Sequence, residues 1–593
     1  MILCICLIVP ASFASEDISL NDTSQESSST DLGVASDIPD SDLDGETADS
    51  QNSILKDSSN EVFVNATSGS DDNDGSDWTK AYKTIDYALN NVNSDGTINL
   101  ADGVYNLTGT LNINKNVIIK GESKDGTIID AIQIESSTIR RAISITATST
   151  VSIDSLTIRN GWMDPNVVEY GAGINNLGTL NLENVSVINC SAYNTGGVDN
   201  SGTIIVNNCY FANNSALGIG GNKNRGRDAG ALSNVGTATV INSYFTDNYA
   251  TGNGAGIKNQ GANLYVNNCT FVNSVSSITN GYGGAIYSWA TPMQVYNSTF
   301  INGTSQFGGA IGVDQNRATV GVVYKIQGCV FINNTHAVRG GAIYIDSAQD
   351  SVINDNIFIN CSADLVNEPN FDGSVIGTGA FTGHFGLTNV SIENNYWGPM
   401  EGSGFDSSLI TTQFAEPNKY VDFTAPSTYV ILNVSADKTE LQLGDTANIN
   451  VGFVNNDGTP VTAGLPTSLV TASASSGTLS QDKFNLSDNP VVITYIPSGS
   501  STQDTVVISV DGITVFSIPM TISLNMNHIY VNATGGDDAN SGVSWGNAVK
   551  TISRALSIVE ADGIIHLADG IYSANSITFS KNVAFVGESQ NGT

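Results

Sequence analysis

Basic residues are scarce in this chain. Lysine and arginine number 22 against 57 aspartates and glutamates, a formal net charge of −35 over 593 residues. Such a chain repels phosphate backbones and anionic bilayers, which excludes nucleic acid and acidic lipid as partners. Histidine is rarer still, and four in the whole sequence leave no zinc-like cluster. Of the seven cysteines, Cys4 and Cys6 stand near the start, which leaves Cys190, Cys209, Cys269, Cys329 and Cys361. That remainder is odd, and three of its members lie two residues before a phenylalanine. They read as small buried apolar side chains rather than as disulfides or metal ligands. Long hydrophobic runs are missing too. Nothing reaches the ~18 apolar residues that a membrane-crossing helix needs, so no direct membrane insertion is expected. The apolar run at residues 2–14 ends in Ser12-Phe13-Ala14, small at the positions a signal peptidase reads, so residues 1–15 are expected to be a signal peptide. No basic residue precedes the run, which implies a misplaced or truncated gene start. Residues 16–60 are Ser/Asp-rich with Lys56 as their single cation. With little to bury, they read as a disordered acidic spacer extended by self-repulsion.

What the chain does have is a recurring cassette. One half is a glycine turn: Gly230-Ala231-Leu232, Gly283-Gly284-Ala285-Ile286, Gly308-Gly309-Ala310-Ile311 and Gly340-Gly341-Ala342-Ile343. The other half is Asn-x-x-Phe-x-x-Asn, as at Asn208, Phe211 and Asn214. Phe211, Phe245, Phe271, Phe300, Phe331 and Phe358 follow one another at 34, 26, 29, 31 and 27 residues, the spacing of a stacked-repeat protein. Runs such as Thr203-Ile204-Ile205-Val206 are too short and too β-branched for helices, so each cassette is a coil of short strands. A period of two puts Cys209 with Phe211, Cys269 with Phe271 and Cys329 with Phe331 on the inner face.

Stacked coils align equal positions about 4.8 Å apart, so the six phenylalanines are predicted to form a buried aromatic ladder. Asn184, Asn208, Asn242, Asn268 and Asn297 are predicted to form an amide ladder whose side chains satisfy corner backbone groups. Gly328 and Asp355 interrupt that row, which predicts less regular final coils. An open stack needs a cap. Trp78 to Leu89, with Ala81, Ile85, Ala88 and Leu89 at helical spacing, is the candidate at the N-terminal end.

Val64-Asn65-Ala66-Thr67, the Gly69, Asp71, Asn73, Gly75 and Trp78 loop, Leu100-Ala101-Asp102-Gly103-Val104-Tyr105 and Val117-Ile118-Ile119-Lys120-Gly121 look like the start of right-handed parallel β-helix proteins of the pectate-lyase-like class. The glycine turn and the Phe-x-x-Asn pair are similar to repeats of polymorphic outer-membrane adhesins. Asn394-Asn395-Tyr396-Trp397-Gly398 looks like a usual last coil. With the sandwich segment described next, residues 60 to 593 most resemble the large adhesin-like surface proteins of methanogenic archaea. The resemblance implies an extracellular cell-surface protein that binds carbohydrate or protein on other surfaces. It implies no cofactor.

On this reading the chain is all-β, with a capped β-helix over residues 61–400. From 425 to 525, short strands separated by Asn456-Asp457-Gly458 and Asp511-Gly512 turns read as a cysteine-free immunoglobulin-like β-sandwich. Then the beginning returns. Tyr530 to Thr534 repeats Phe63 to Thr67, Trp545 repeats Trp78, and Gly587-Glu588-Ser589 repeats Gly121-Glu122-Ser123. Residues 527–593 are therefore expected to be the truncated start of a second β-helix, since stacked units need neighbours to bury their faces.

Candidate chemistry is thin. A uronate lyase needs a cation and a base, and a glycosidase needs paired carboxylates. Arg225, Arg227 and Asp228 share the insertion from Gly218 to Asp228, while Arg339, Asp314 and Asp346 stand singly in other coils. A secreted polysaccharide lyase or hydrolase is the alternative to the adhesin, and a purely structural surface-layer component is a third. Tyr287, Trp289 and Tyr344 are candidates for exposed aromatics that stack on sugars. Asp71 and Asn73 are the calcium candidates, against a turn in which Asp and Asn bond their own backbone. Sequons at Asn65, Asn106, Asn213, Asn302, Asn333, Asn389, Asn433 and Asn485 are candidate glycosylation sites in an exported chain.

Overall fold

The computed structural model describes residues 59–593 apart from 133, 136–138, 219–227, 278, 280, 315–321, 336–337, 346–350, 364–373, 379–387, 399–404, 411–420, 423–424, 462–463, 465, 467–468, 486–489, 499–500 and 574–575. The expected signal peptide and nearly all of the expected acidic spacer lie outside the described residues, as do Arg225, Arg227 and Asp346.

One coil shows how the cassette folds. Thr203–Asn207 forms a strand, Asn208 turns the corner, Tyr210–Ala212 forms the next strand, Asn213 turns again, and Ser215–Ala216 and Leu232–Asn234 complete the circuit. Strands inside each sheet hydrogen-bond to their equivalents one coil below and one above. Thr203 to Asn207 pairs in parallel with Thr179 to Glu183 and with Thr237 to Ile241. Among the described residues this builds a 13-stranded sheet (face A), two 10-stranded sheets (faces B and C) and a 5-stranded corner sheet (face D). The protein is a right-handed parallel β-helix over this region, with the hand that parallel crossovers take.

Alternation of side chains fills the interior. The inner position of face B runs through Tyr105, Ile129, Ile158, Val187, Phe211, Phe245, Phe271, Phe300, Phe331 and Phe358 in continuous register. All are buried. The six phenylalanine rings stack with centroids 4.7, 4.6, 5.0, 4.9 and 4.9 Å apart, and Trp397 continues the column at 5.1 Å.

Two corners require a left-handed backbone, which asparagine tolerates better than other side-chain-bearing residues. Asn184, Asn208, Asn242, Asn268 and Asn297 have φ of 52, 51, 51, 52 and 48°. Their amides do bond along the stack, but to side chains rather than to corner backbone groups. Asn242 Nδ2 donates to Asn207 Oδ1 (2.9 Å), Asn268 to Asn242 (2.8 Å) and Asn297 to Asn267 (3.0 Å). Gly328 (φ 65°) and Asp355 (φ 60°) interrupt the amide row, as expected, but not the corner itself. They adopt the same left-handed conformation, and the strands of face B keep their register through Ile357–Ile359. In the glycine turn the two glycines do different work. Gly308 has φ 69°, whereas a Cβ on Gly309 would lie 2.3 Å from the carbonyl oxygen of Gly341 in the next coil.

The N-terminal cap comprises a short 3-10 turn, Trp78–Lys80, and the helix Ile85–Asn91, which buries Ile85, Ala88 and Leu89 against the first coil. At the other end, strands paired antiparallel, except for Glu440–Gln442, form two sheets around Ile449, Val451, Phe453, Ile493, Tyr495, Val506, Ile508 and Met520. This core is continuous with Val330, Ile332, Ile357 and Ile359, which point outward from face B. The sandwich therefore sits on the β-helix, and its first strand starts as a further rung, with Val430 bridged in parallel to Tyr396. Residues 528–587 repeat the opening: strands His528–Val531, Gly563–Leu567 and Val583–Gly587 in one parallel sheet, with the helix Ile552–Ile558. Among the described residues no helix is long and apolar enough to cross a membrane.

Candidate functional site

Outward positions carry whatever chemistry the coils present. On face B, Ser186, Tyr210, Tyr244 and Thr270 share one outward row in successive coils. The Tyr210 and Tyr244 rings stack, with centroids 5.7 Å apart and planes 14° apart, and remain 36% and 39% exposed. Tyr249, on the corner strand of the same coil, is 40% exposed. Between them Asp247 turns the corner at φ 53°, and its carboxylate accepts from Thr246 Oγ1 (2.8 Å) and Asn273 Nδ2 (2.9 Å). Partial burial raises both ring hydroxyls, Tyr210 and Tyr244, and the neighbouring Asp247 charge raises them further.

Face C carries the second cluster. Its central outward row aligns Ser144, Asn175, Asp199, Ser233, Lys258, Tyr287, Gly312 and Tyr344. Lys258 Nζ lies 2.7 Å from Asp228 Oδ2, while Asp228 Oδ1 accepts from Asn253 N (2.9 Å) and Nδ2 (3.0 Å). Asp199 is 6% exposed and accepts from Thr195 Oγ1 at 3.4 Å. Burial raises its carboxyl pKa, against the opposing hydrogen bond from Ser233 and the charge of Lys258. Chemically, Asp199 is a buried carboxyl that takes up a proton more readily than an exposed one. Asp228 is neutralised and held by three donors, which ill suits it to act as a general base or nucleophile.

Tyr287 and Tyr344 are not exposed. They are 5% and 0% accessible, with Tyr282 and Phe307 packed against them. Tyr344 packs on Phe307 (5.0 Å) and Tyr282 (5.6 Å), and Tyr282 also contacts Tyr287 (5.9 Å). Trp289 keeps 37% of its surface and pairs in register with Asp314. Arg339 lies over Phe307, 5.9 Å from the ring centre. The longer tyrosines thus close the face, and the exposed stack stands on a different one.

In the cap, Asp71 Oδ1 accepts from the backbone of Lys83 (2.9 Å) and Thr84 (3.0 Å), and Oδ2 from Thr84 Oγ1 (2.8 Å). Asn73 Nδ2 donates to Ala81 O (2.9 Å). The copy repeats every bond. Asp538 binds Lys550 N, Thr551 N and Thr551 Oγ1 at 2.9, 2.8 and 2.8 Å, and Asn540 Nδ2 reaches Ala548 O at 2.9 Å. These two residues staple the loop to the helix start. Among the described residues no group of three or more His, Cys, Asp or Glu side chains could hold a metal ion.

All five later cysteines are buried free thiols. Burial pushes Cys190, Cys209, Cys269 and Cys329 up to about 12 and Cys361 up to about 11, so none is a poised nucleophile. The sequon asparagines divide by position. Asn213, Asn302 and Asn333 turn the second left-handed corner, with φ of 54, 55 and 52°, and Asn302 Nδ2 is already donating to Asn273 Oδ1 (3.0 Å). Asn106, Asn433 and Asn485 are exposed on strands, and Asn65 accepts from Thr67 N and Ser68 N. Asn389 lies on strand Thr388–Ser391.

A buried amide row escaped the sequence reading. Asn176, Asn200, Asn234 and Asn259 are each fully buried on face C, and each donates to the next residue of the row: 2.7, 2.8 and 2.8 Å, then 3.1 Å to Ser288 Oγ. Its signal is the Asn-x-Gly that follows each glycine turn by two or three residues: Asn176-x-Gly178, Asn200-x-Gly202, Asn234-x-Gly236 and Asn259-x-Gly261.

No protein-family model matches the chain, and no curated protein matches it in sequence. Among solved structures, a rhamnogalacturonan lyase is similar with a TM-score of 0.31 and 14% identity, over 52% of this chain and 85% of its own. The tailspike of Pseudomonas phage phi297 is similar with a TM-score of 0.29 and 10% identity, over 68% of this chain and 86% of its own. The strand ladders themselves carry the β-helix assignment.

Proposed function

We propose that this chain is an exported, cell-surface adhesin-like protein whose β-helix holds a binding surface rigidly away from the cell. Its partners are carbohydrate or protein on other cells or surfaces. The observation that carries this reading is the stacked Tyr210–Tyr244 pair, left exposed on a face whose backbone is fully engaged in coil-to-coil pairing. Large aromatics in the open on a rigid support are the usual currency of recognition. The acidic charge directs the choice of target toward neutral or cationic surfaces. An immunoglobulin-like role for the sandwich, as a spacer between β-helical modules, belongs to the same proposal.

The second reading is a polysaccharide lyase or hydrolase, favoured by the buried carboxyl of Asp199 on the central row of face C. One experiment separates the two. Beads carrying one or several copies of the full chain are tested for retention on microbial and host cells, and the same protein is incubated with acidic polysaccharides with and without calcium. Retention that rises with copy number, and no unsaturated product in the ultraviolet, is the expected result. Product formation abolished by Asp199→Asn would replace the adhesin with an enzyme. Beads that bind no better than uncoated controls would leave a structural surface-layer component.

A further inference from the structure

We propose that Tyr210, Tyr244, Tyr249 and Asp247 form a binding site for a neutral saccharide. The inference rests on the adhesive reading and deepens it by naming the ligand class and the place. Face B determines the place. Its outward row is short and polar below the pair, at Thr157 and Ser186, and again at Thr270 and Thr299 above it. Farther up it turns apolar at Val330 and Ile357, where the sandwich covers it. Tyr210 and Tyr244 are thus large aromatics on a stretch of the face that no other part of the described chain covers.

Several features select a saccharide over other occupants. The register sets only Ser186 and Thr270, short hydroxyl side chains, beside the outer faces of the two rings. Ser186 is itself buried, whereas Thr270 is half-buried, so the Tyr244 side of the stack is the more open one. The apolar face of a pyranose ring fits such an aromatic ledge, and its hydroxyl groups need acceptors beside it. Asp247 supplies one. Thr246 and Asn273 hold its carboxylate in place, leaving lone pairs toward solvent on an exposed residue. Tyr249 adds a third ring on the same coil. The carboxylate and the net charge of −35 disfavour anionic sugars. A ledge two coils deep, about 5 Å per step, is far smaller than the roughly 800 Å² per partner that a stable protein contact buries.

The test uses the full chain and its variants Tyr244→Ala, Tyr210→Ala with Tyr244→Ala, and Asp247→Asn. The control is Tyr265→Ala, which removes a half-buried tyrosine from face A. A neutral-glycan array and tyrosine fluorescence with added saccharide read the site, and bead retention on cells reads adhesion. The proposal expects saccharide binding by the wild type, a loss of about tenfold or more in Tyr244→Ala, a smaller loss in Asp247→Asn, and none in Tyr265→Ala, with unfolding midpoints unchanged throughout. If Tyr244→Ala lowers the midpoint, Tyr244→Phe serves in its place. It keeps the ring, so binding must survive in it while Asp247→Asn still weakens it. Saccharide binding that is equal in wild type and the double variant overturns the site. So does a wild type that binds no neutral glycan, including one that instead binds proteins through Tyr244. Beads that hold to cells equally with and without the tyrosines overturn the site but keep the adhesive reading. Saccharide binding without cell retention does the reverse.

Discussion

Phe271 shows how much one side chain carries. Its ring is buried between Phe245 and Phe300, with centroids 4.6 and 5.0 Å away and nearly parallel planes. Removing it leaves a cavity that the flanking coils cannot fill without breaking their register, so Phe271→Ala is expected to cost about 3 to 5 kcal/mol. Denaturant unfolding followed by circular dichroism measures this, and an unchanged midpoint would contradict the column. The ladder was legible because one residue type recurs at one inner position. Trp397 was not, because a different aromatic ends the column beyond a coil whose spacing differs.

At the scale of the element, the corners decide whether strands stack. Asn242 turns from face A to face B at φ 51°, bonded on one side to Asn207 and on the other from Asn268. A Cβ without a local hydrogen-bonding group costs about 1 to 2 kcal/mol in that conformation. Asn242→Ala should therefore lose about that much, whereas Asn242→Gly should stay within about 1 kcal/mol, as Gly328 already does at the same corner. Equal destabilisation by both substitutions would mean that the amide bonds, not the backbone conformation, select asparagine. The sequence displayed the asparagine row but not its cause, since a conserved backbone angle leaves no trace except in which residues replace one another. Glycine and aspartate in the row were that trace.

For the whole molecule, the docking of the sandwich is the decisive contact. Val330, Ile332, Ile357 and Ile359 sit outward on face B and are 4, 4, 0 and 1% exposed, because the sandwich core runs into them. Ile332→Asp combined with Ile359→Asp places two charges in that contact, a change that should detach the sandwich without touching the phenylalanine column. Thermal unfolding is expected to split into two transitions, and limited proteolysis to cut between residues 400 and 430. A single unshifted transition would show that the two parts are joined by the chain alone. Val-Phe-Ile and Ile-Phe-Ile, apolar on both faces where earlier coils read Tyr-Phe-Ala and Tyr-Phe-Thr, announce a strand covered on both sides.

The sequence by itself determined the parallel coil, its inner column and its duplicated cap, because these depend on residue types recurring at fixed intervals, and stacking turns each interval into a spatial row. Only the tertiary structure decided which outward residues are open. Tyr287 and Tyr344 share the chemistry of Tyr210 and Tyr244, yet the first pair is buried beside Tyr282 and Phe307 while the second keeps 36% and 39% of its surface. Exposure depends on chain segments that lie far away in sequence and obey no period, so no repeat could have revealed it. The same holds for Asp228 and Lys258: 30 residues apart in sequence, they form an ion pair at 2.7 Å only because one coil stacks on the next.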